Sequence, residues 1–195
     1  MIRSEQSLRQ PLFALLLGLA AFALFTGGGI LDPRNTGWLM SGDPAQSWLG
    51  WKFFRHTPLL QWPLGANPGF GMEIGSSIVF SDSVPLMAFL FKPLSPWLPA
   101  AFQYFGAWLA ACFMLQALFA WKLLRQAGLE PVLALLGAAF FATAPAMTFR
   151  LHGHYALVAQ WLVLAALYLY FRPKPPPAAG CCCSARRFLS TPTCW

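Results

Sequence analysis

Apolar runs of membrane-spanning length recur along this chain, and the polar or basic breaks between them set the expected elements. The runs cover residues 11–30, 102–123, 131–148 and 155–171, each to within a residue or two. Crossing a hydrocarbon core takes about 20 apolar residues at about 1.5 Å of rise each, and every run meets or approaches that length. Apart from Lys122 at the end of the second, none has an interior Asp, Glu, Lys or Arg, as the cost of placing charge in lipid requires. The expected fold is all-α, a polytopic helical membrane protein with about four transmembrane helices. The first run outlasts the about 7–15 apolar residues of a signal peptide. Gly27-Gly28-Gly29 is a weak cleavage site, so this run is expected to stay as a span.

A loop from residue 31 to 101 separates the first two runs and is rich in aromatics, glycine and proline, with four acidic and four basic residues. A plain connector would be short. Asp43-Pro44-Ala45-Gln46 reads as an N-cap, a proline at the first helical position and a capping-box glutamine. The helix it opens is expected over 44–56, with Trp48, Trp51, Lys52 and Arg55 on one side and Leu49 and Phe53 on another. That mixture suits a helix lying in the headgroup region. Residues 61–77 read as turns without periodicity. Ser83-Val84-Pro85 then starts a short apolar helix ending near Phe91, interfacial or re-entrant rather than spanning.

Composition supports the membrane reading: 57% of residues are hydrophobic and 10% charged, against about 25% charged in soluble domains. The net charge of +7 is accounted for by basic flanks against anionic lipid, and no nucleic-acid partner is expected. Arg3, Arg9, Lys122, Arg125, Arg172 and Lys174 fall on one side of four alternating spans, with Arg34, Lys92 and Arg150 on the other. The positive-inside rule then puts both termini and the 123–130 loop in the cytoplasm, and the long first loop and residues 150–154 outside.

Within this frame Asp43 and Asp82 are candidate catalytic or metal-binding carboxylates, each with a plainer role at a helix start. Glu73 reads as a solvated loop charge. Arg150, His152 and His154 can meet phosphate or a metal, or simply anchor a span end. Gln160 is expected to make a helix–helix hydrogen bond, and Cys112 to be a small core residue. Nucleotide-binding glycine loops, Ser-His-Asp arrangements and paired CxxC motifs are absent from the sequence.

The runs GDPAQ, WLGW, FFR, QWPLG, GMEIGSSIVFSDSVPL, AAFQYFG and RLHGHYAL resemble a family of bacterial polytopic membrane proteins of unassigned function, over about residues 37–173. That family in turn is similar to the C-type glycosyltransferase fold. The resembling proteins carry a histidine where this chain has Ser47 and another where it has Gln160. The resemblance implies a bacterial inner-membrane protein using a polyprenyl-phosphate-linked sugar. Asp43 would act as general base on the acceptor hydroxyl, or help hold a divalent ion of unassigned identity, and Asp82 would be the second carboxylate. Arg150, His152 and His154 would meet the lipid phosphate. A non-enzymatic transporter or flippase component, or an inactive truncated product, is the alternative.

The tail, residues 174–195, fits neither a span nor an ordinary loop. Cys181-Cys182-Cys183 can be read as a palmitoylation cluster. A cysteine codon ends in C or T, however, and that base with the TG of a following Cys or Trp codon encodes Leu in the shifted frame. The tail is therefore expected to be frameshifted, and the chain to be a fragment of a larger bundle.

Overall fold

The computed structural model of the protein describes residues 2–172, with the side chains of residues 2–8 outside that description. The tail, on which the frameshift expectation falls, also lies outside the described residues. The chain is mostly helical: α1 (Ile2–Thr26), α2 (Asp43–Phe54), α3 (Pro85–Phe91), α4 (Phe105–Gln126), α5 (Pro131–Ala142), α6 (Pro145–Thr148) and α7 (Trp161–Tyr170). Three stretches are long and apolar enough to cross a membrane: Arg9–Thr26, Phe105–Gln126 and Pro131–His152. The fourth expected run, Tyr155–Tyr170, is apolar but shorter, and its start is a 3₁₀ turn over Tyr155–Val158.

Local chemistry moves several boundaries. The first helix begins well before Pro11 and stops at Thr26, where the Thr26 hydroxyl donates to the Phe22 carbonyl at 2.8 Å. The third apolar run is discontinuous. Its α-helix ends at Ala142, Ala144 takes an extended conformation (φ −57°, ψ 141°), and Pro145 restarts the helix. A residue before proline is driven out of the α region, and proline has no amide to continue the ladder. A 3₁₀ turn over Phe149–His152 follows.

The long loop departs from expectation at two points, neither of which alters the mostly helical class. The 61–77 run, expected as turns, contains a small antiparallel pairing of Ala66–Asn67 with Ser76–Ser77, in which Ala66 faces Ser77 and Asn67 faces Ser76. Two-residue strands are too short for period-two alternation to show. The capping box does not form. Gly42, at φ 64° and ψ −150°, is the N-cap, Asp43 is the first helical residue, and no side chain caps the helix. The Gln46 side-chain amide instead donates to the Phe80 carbonyl at 3.4 Å.

In the described bundle α4 packs against α1, α5 and α7. Small residues make the close contacts, among them the buried Ala14, Ala21, Ala110, Ala117, Ala134 and Ala138. Lipid offers little hydrophobic drive for helix association, so backbones that approach closely gain most. Gly18 shows how close: a Cβ there would lie 2.4 Å from the Phe113 carbonyl oxygen and 2.6 Å from the Met114 Cα. Away from these seams Leu24, Val132, Phe140 and Val163 are exposed, the apolar surface a bilayer would cover.

The long loop folds onto the start of α4. Trp48, Trp51 and Arg55 point inward, whereas Leu49, Lys52 and Phe53 face outward. The Trp51 indole donates to the Phe102 carbonyl at 3.2 Å and packs edge-on against Tyr104 at 5.1 Å.

Gly18→Ala is expected to lower stability by about 1–3 kcal/mol, the usual cost of overpacking. Gly29→Ala, where nothing lies within 4 Å of the new Cβ, is the control and should change little. Thermal unfolding of both variants in lipid nanodiscs measures the difference.

Candidate functional site

Three segments meet near the start of α2. Asp43 opens that helix, Asp82 stands between the 3₁₀ turn Ile78–Ser81 and α3, and His154 follows the turn Phe149–His152. Asp82 (φ 50°) and Val84 (φ 49°) are both left-handed. For a β-branched residue that region is a genuine outlier, and such positions cost about 1–3 kcal/mol each. The residue between them is tied down: the Ser83 hydroxyl donates to the Ser47 carbonyl at 2.6 Å and lies 2.8 Å from the Ser81 hydroxyl. The Tyr104 hydroxyl donates to the Ser83 carbonyl. Ser47, Ser81 and Ser83 are fully buried, so the strained turn is held from below.

The turn presents the Asp82 carboxylate to His154. Asp82 Oδ2 lies 3.8 Å from His154 Nδ1, with the side chains 29% and 52% exposed. That distance is too long for a hydrogen bond and makes an ion pair when the imidazole is protonated. Gly153, at φ 150°, seats the segment against Asp43: a Cβ there would lie 2.6 Å from the Asp43 Cβ. No L side chain fits that space or that backbone easily.

Partial burial holds the Asp82 carboxyl above the ordinary carboxylate range, and the Asp43 negative charge adds to the rise. The Ala156 backbone amide and His154 pull in the opposite direction. Tyr155 anchors this stretch, its carbonyl accepting the Trp108 indole N–H at 2.8 Å. Its ring lies tilted against Phe105 at 5.5 Å and edge-on to Trp38 at 5.6 Å.

The structure divides the other candidates. His152 is exposed, with Nδ1 3.2 Å from the Phe149 carbonyl. It lines a cleft of about 560 Å³ with Phe25, Ile30, Trp38 and Leu109, and neither Asp82 nor His154 is among the lining residues. Arg150 is half-buried, and its carbonyl accepts the His154 amide at 3.1 Å. Among the described residues no group of three or more His, Cys, Asp or Glu is placed to hold a metal ion. The donor set for a divalent ion is therefore incomplete at Asp43, Asp82 and His154. Ser47 has a buried hydroxyl oxygen without a partner, and the Gln160 amide donates to the Ala146 carbonyl at 3.0 Å, across the helix break. Glu73 is exposed and Cys112 is buried. Gly153, Trp38 and the Ala156 amide belong to the site or its flank, yet local sequence carries no signal for them, because each acts through a distant contact.

These features define a class: a helical protein with three apolar stretches able to cross a membrane, joined by a folded aromatic loop that carries carboxylates beside a histidine. The chain belongs to the family described as a domain of unknown function, DUF6311, which matches residues 15–190. No curated protein and no solved structure matches the chain.

A carboxyl group raised in the folded state favours folding when protonated. Its contribution is complete below the unfolded value of 3.8 and is lost as pH rises through the higher folded value. Asp82→Asn, neutral and tolerant of left-handed backbone, should therefore raise the thermal midpoint relative to wild type at pH 7. The gap should close as pH falls to about 4. A midpoint that drops, or a gap independent of pH, would show that the carboxylate carries no electrostatic cost there.

Proposed function

We propose that this protein is an integral membrane glycosyltransferase that draws its sugar from a polyprenyl-phosphate carrier, with Asp82 and Asp43 in its active site. The observation that supports the reading most is the Asp82 carboxylate, presented on strained backbone 3.8 Å from His154. A carboxyl with a raised pKa is a stronger base than an ordinary one, and the adjacent Asp43 charge favours proton uptake. In the proposed reaction one of the two carboxylates takes the proton from the acceptor hydroxyl as its oxygen attacks the anomeric carbon. The bond from that carbon to the phosphate oxygen breaks, and the departing lipid phosphate keeps the electron pair. His154 balances charge at the base, while Arg150 and His152 meet the phosphate.

The apolar cleft beside His152 fits this assignment. Its about 560 Å³ lies within the range of about 300–1,000 Å³ usual for small-ligand sites. Phe25, Ile30, Trp38 and Leu109 give it the lining an isoprenoid chain needs. In this reading the long loop faces outward from a bacterial inner membrane, and membrane lipid is its surrounding partner. A second reading, a transporter or flippase component, is favoured by the break between Ala142 and Pro145, since discontinuous helices line substrate paths in transporters.

The test uses the full chain in proteoliposomes with polyprenyl-phosphate hexoses carrying a radiolabelled sugar. Wild type should transfer label to an acceptor hydroxyl. Asp82→Asn and Asp43→Asn should each slow transfer by about 100-fold or more without lowering the thermal midpoint. Label that crosses the bilayer still attached to its lipid, without transfer, would sink the enzyme reading in favour of the transporter.

A further inference from the structure

At the other end of α2 lie two cations that no carboxylate neutralises. Arg55 is 7% exposed and Lys92 4% exposed. Among the described residues neither meets an acidic side chain within 4.0 Å. Burying charge in this way is expensive unless a counter-charge is supplied. The contacts these residues make orient them but leave their charge standing. The Arg55 guanidinium donates through Nη1 to the Pro99 carbonyl at 2.8 Å, and through Nη2 to Ser95 at 3.0 Å and Leu98 at 3.1 Å. Its Nε is buried with no partner. The Lys92 ammonium donates to the Thr57 hydroxyl at 2.7 Å and sits 3.9 Å from the Phe54 ring centroid. An ammonium has three donors, so this hydrogen bond uses one of them.

Both residues line a cleft of about 440 Å³ together with His56, Thr57 and Ser95. The Ser95 hydroxyl is another buried polar atom without a partner. We propose that this cleft is an anion-binding site that takes a phosphate group, either free or on a lipid headgroup. Three of the five guanidinium N–H groups of Arg55 are taken by carbonyls and its Nε is buried, so it supplies fixed positive charge, while Lys92 supplies the spare donors that phosphate oxygens accept. Burial pushes both cations below their ordinary pKa values, and an anion in the cleft offsets that push. The twelve residues of α2, at about 1.5 Å each, separate Asp43 from Arg55 by about 18 Å. The site is therefore distinct from the carboxylate–histidine cluster, and it stands whether or not that cluster transfers sugars.

The test is a thermal-shift titration of the full chain in dodecyl maltoside micelles, which carry no phosphate, with inorganic phosphate or with chloride at matched ionic strength. A parallel arm adds phosphatidylglycerol to the micelles. A rise in midpoint with phosphate identifies a free phosphate group, and a rise with phosphatidylglycerol identifies the headgroup; either supports the site. Lys92→Gln should weaken the response by about tenfold or more, while Lys52→Gln, an exposed change on α2 outside the cleft, keeps it. If Lys92→Gln does not fold, His56→Glu brings a negative charge to an exposed lining position and should weaken binding similarly. Absence of a shift in both arms overturns the proposal. So does an equal shift with chloride, or an undiminished response in the variant used.

Discussion

Buried carbonyl groups need partners, and here the residues leading into α4 and its first turn satisfy those of several distant segments. The Gln103 side-chain amide donates to Ile30 and Asp32, both at 2.8 Å, and so fixes the exit of α1. The Tyr104 hydroxyl reaches Ser83, and the Trp108 indole reaches Tyr155. Trp51 closes the set by donating to Phe102. Each buried group of this kind left unpaired would cost about 1–3 kcal/mol. These bonds bring the α1 exit, the long loop and the 150–155 segment to one end of the bundle. The proximity of Asp43, Asp82 and His154 follows from them.

The turn at Asp82 carries a backbone cost and an electrostatic one. Left-handed Asp82 and Val84 flank Ser83, and the carboxylate is half-screened from water beside another negative charge. A buried serine network and the Tyr104 hydroxyl over-determine the geometry, as strained backbone requires. Strain and a perturbed carboxyl are thus concentrated in one turn, against a bundle of closely packed small residues.

Helix α2 links two polar ends through an aromatic middle. Its acidic residue lies at the N-terminus and its buried arginine follows the C-terminus, the arrangement the helix dipole favours. Trp48 and Trp51 between them are buried, so the helix acts as a strut within the loop. A carboxylate–histidine cluster and a cationic cleft thus lie at opposite ends of one rigid element.

Periodicity and charge alone were enough to read membrane-length apolar runs, the helix near residue 44, the short helix after Val84, and Asp43, Asp82 and His154 as candidates. These are local properties: a long apolar run, a proline at a helix start, an acid or imidazole outside a span. Other features depended on contacts between residues far apart in sequence. The small sheet at Ala66–Ser77, the failure of the capping box, the inward face of Trp48 and Trp51, and the placing of His152 in a cleft while His154 faces Asp82 are all of this kind. Gly42 displaced Asp43 from the cap because the loop's path, rather than the tetrapeptide, set the entry angle. The Asp82–His154 pair joins residues 72 positions apart, and only the packing of both segments on α4 decided that they meet.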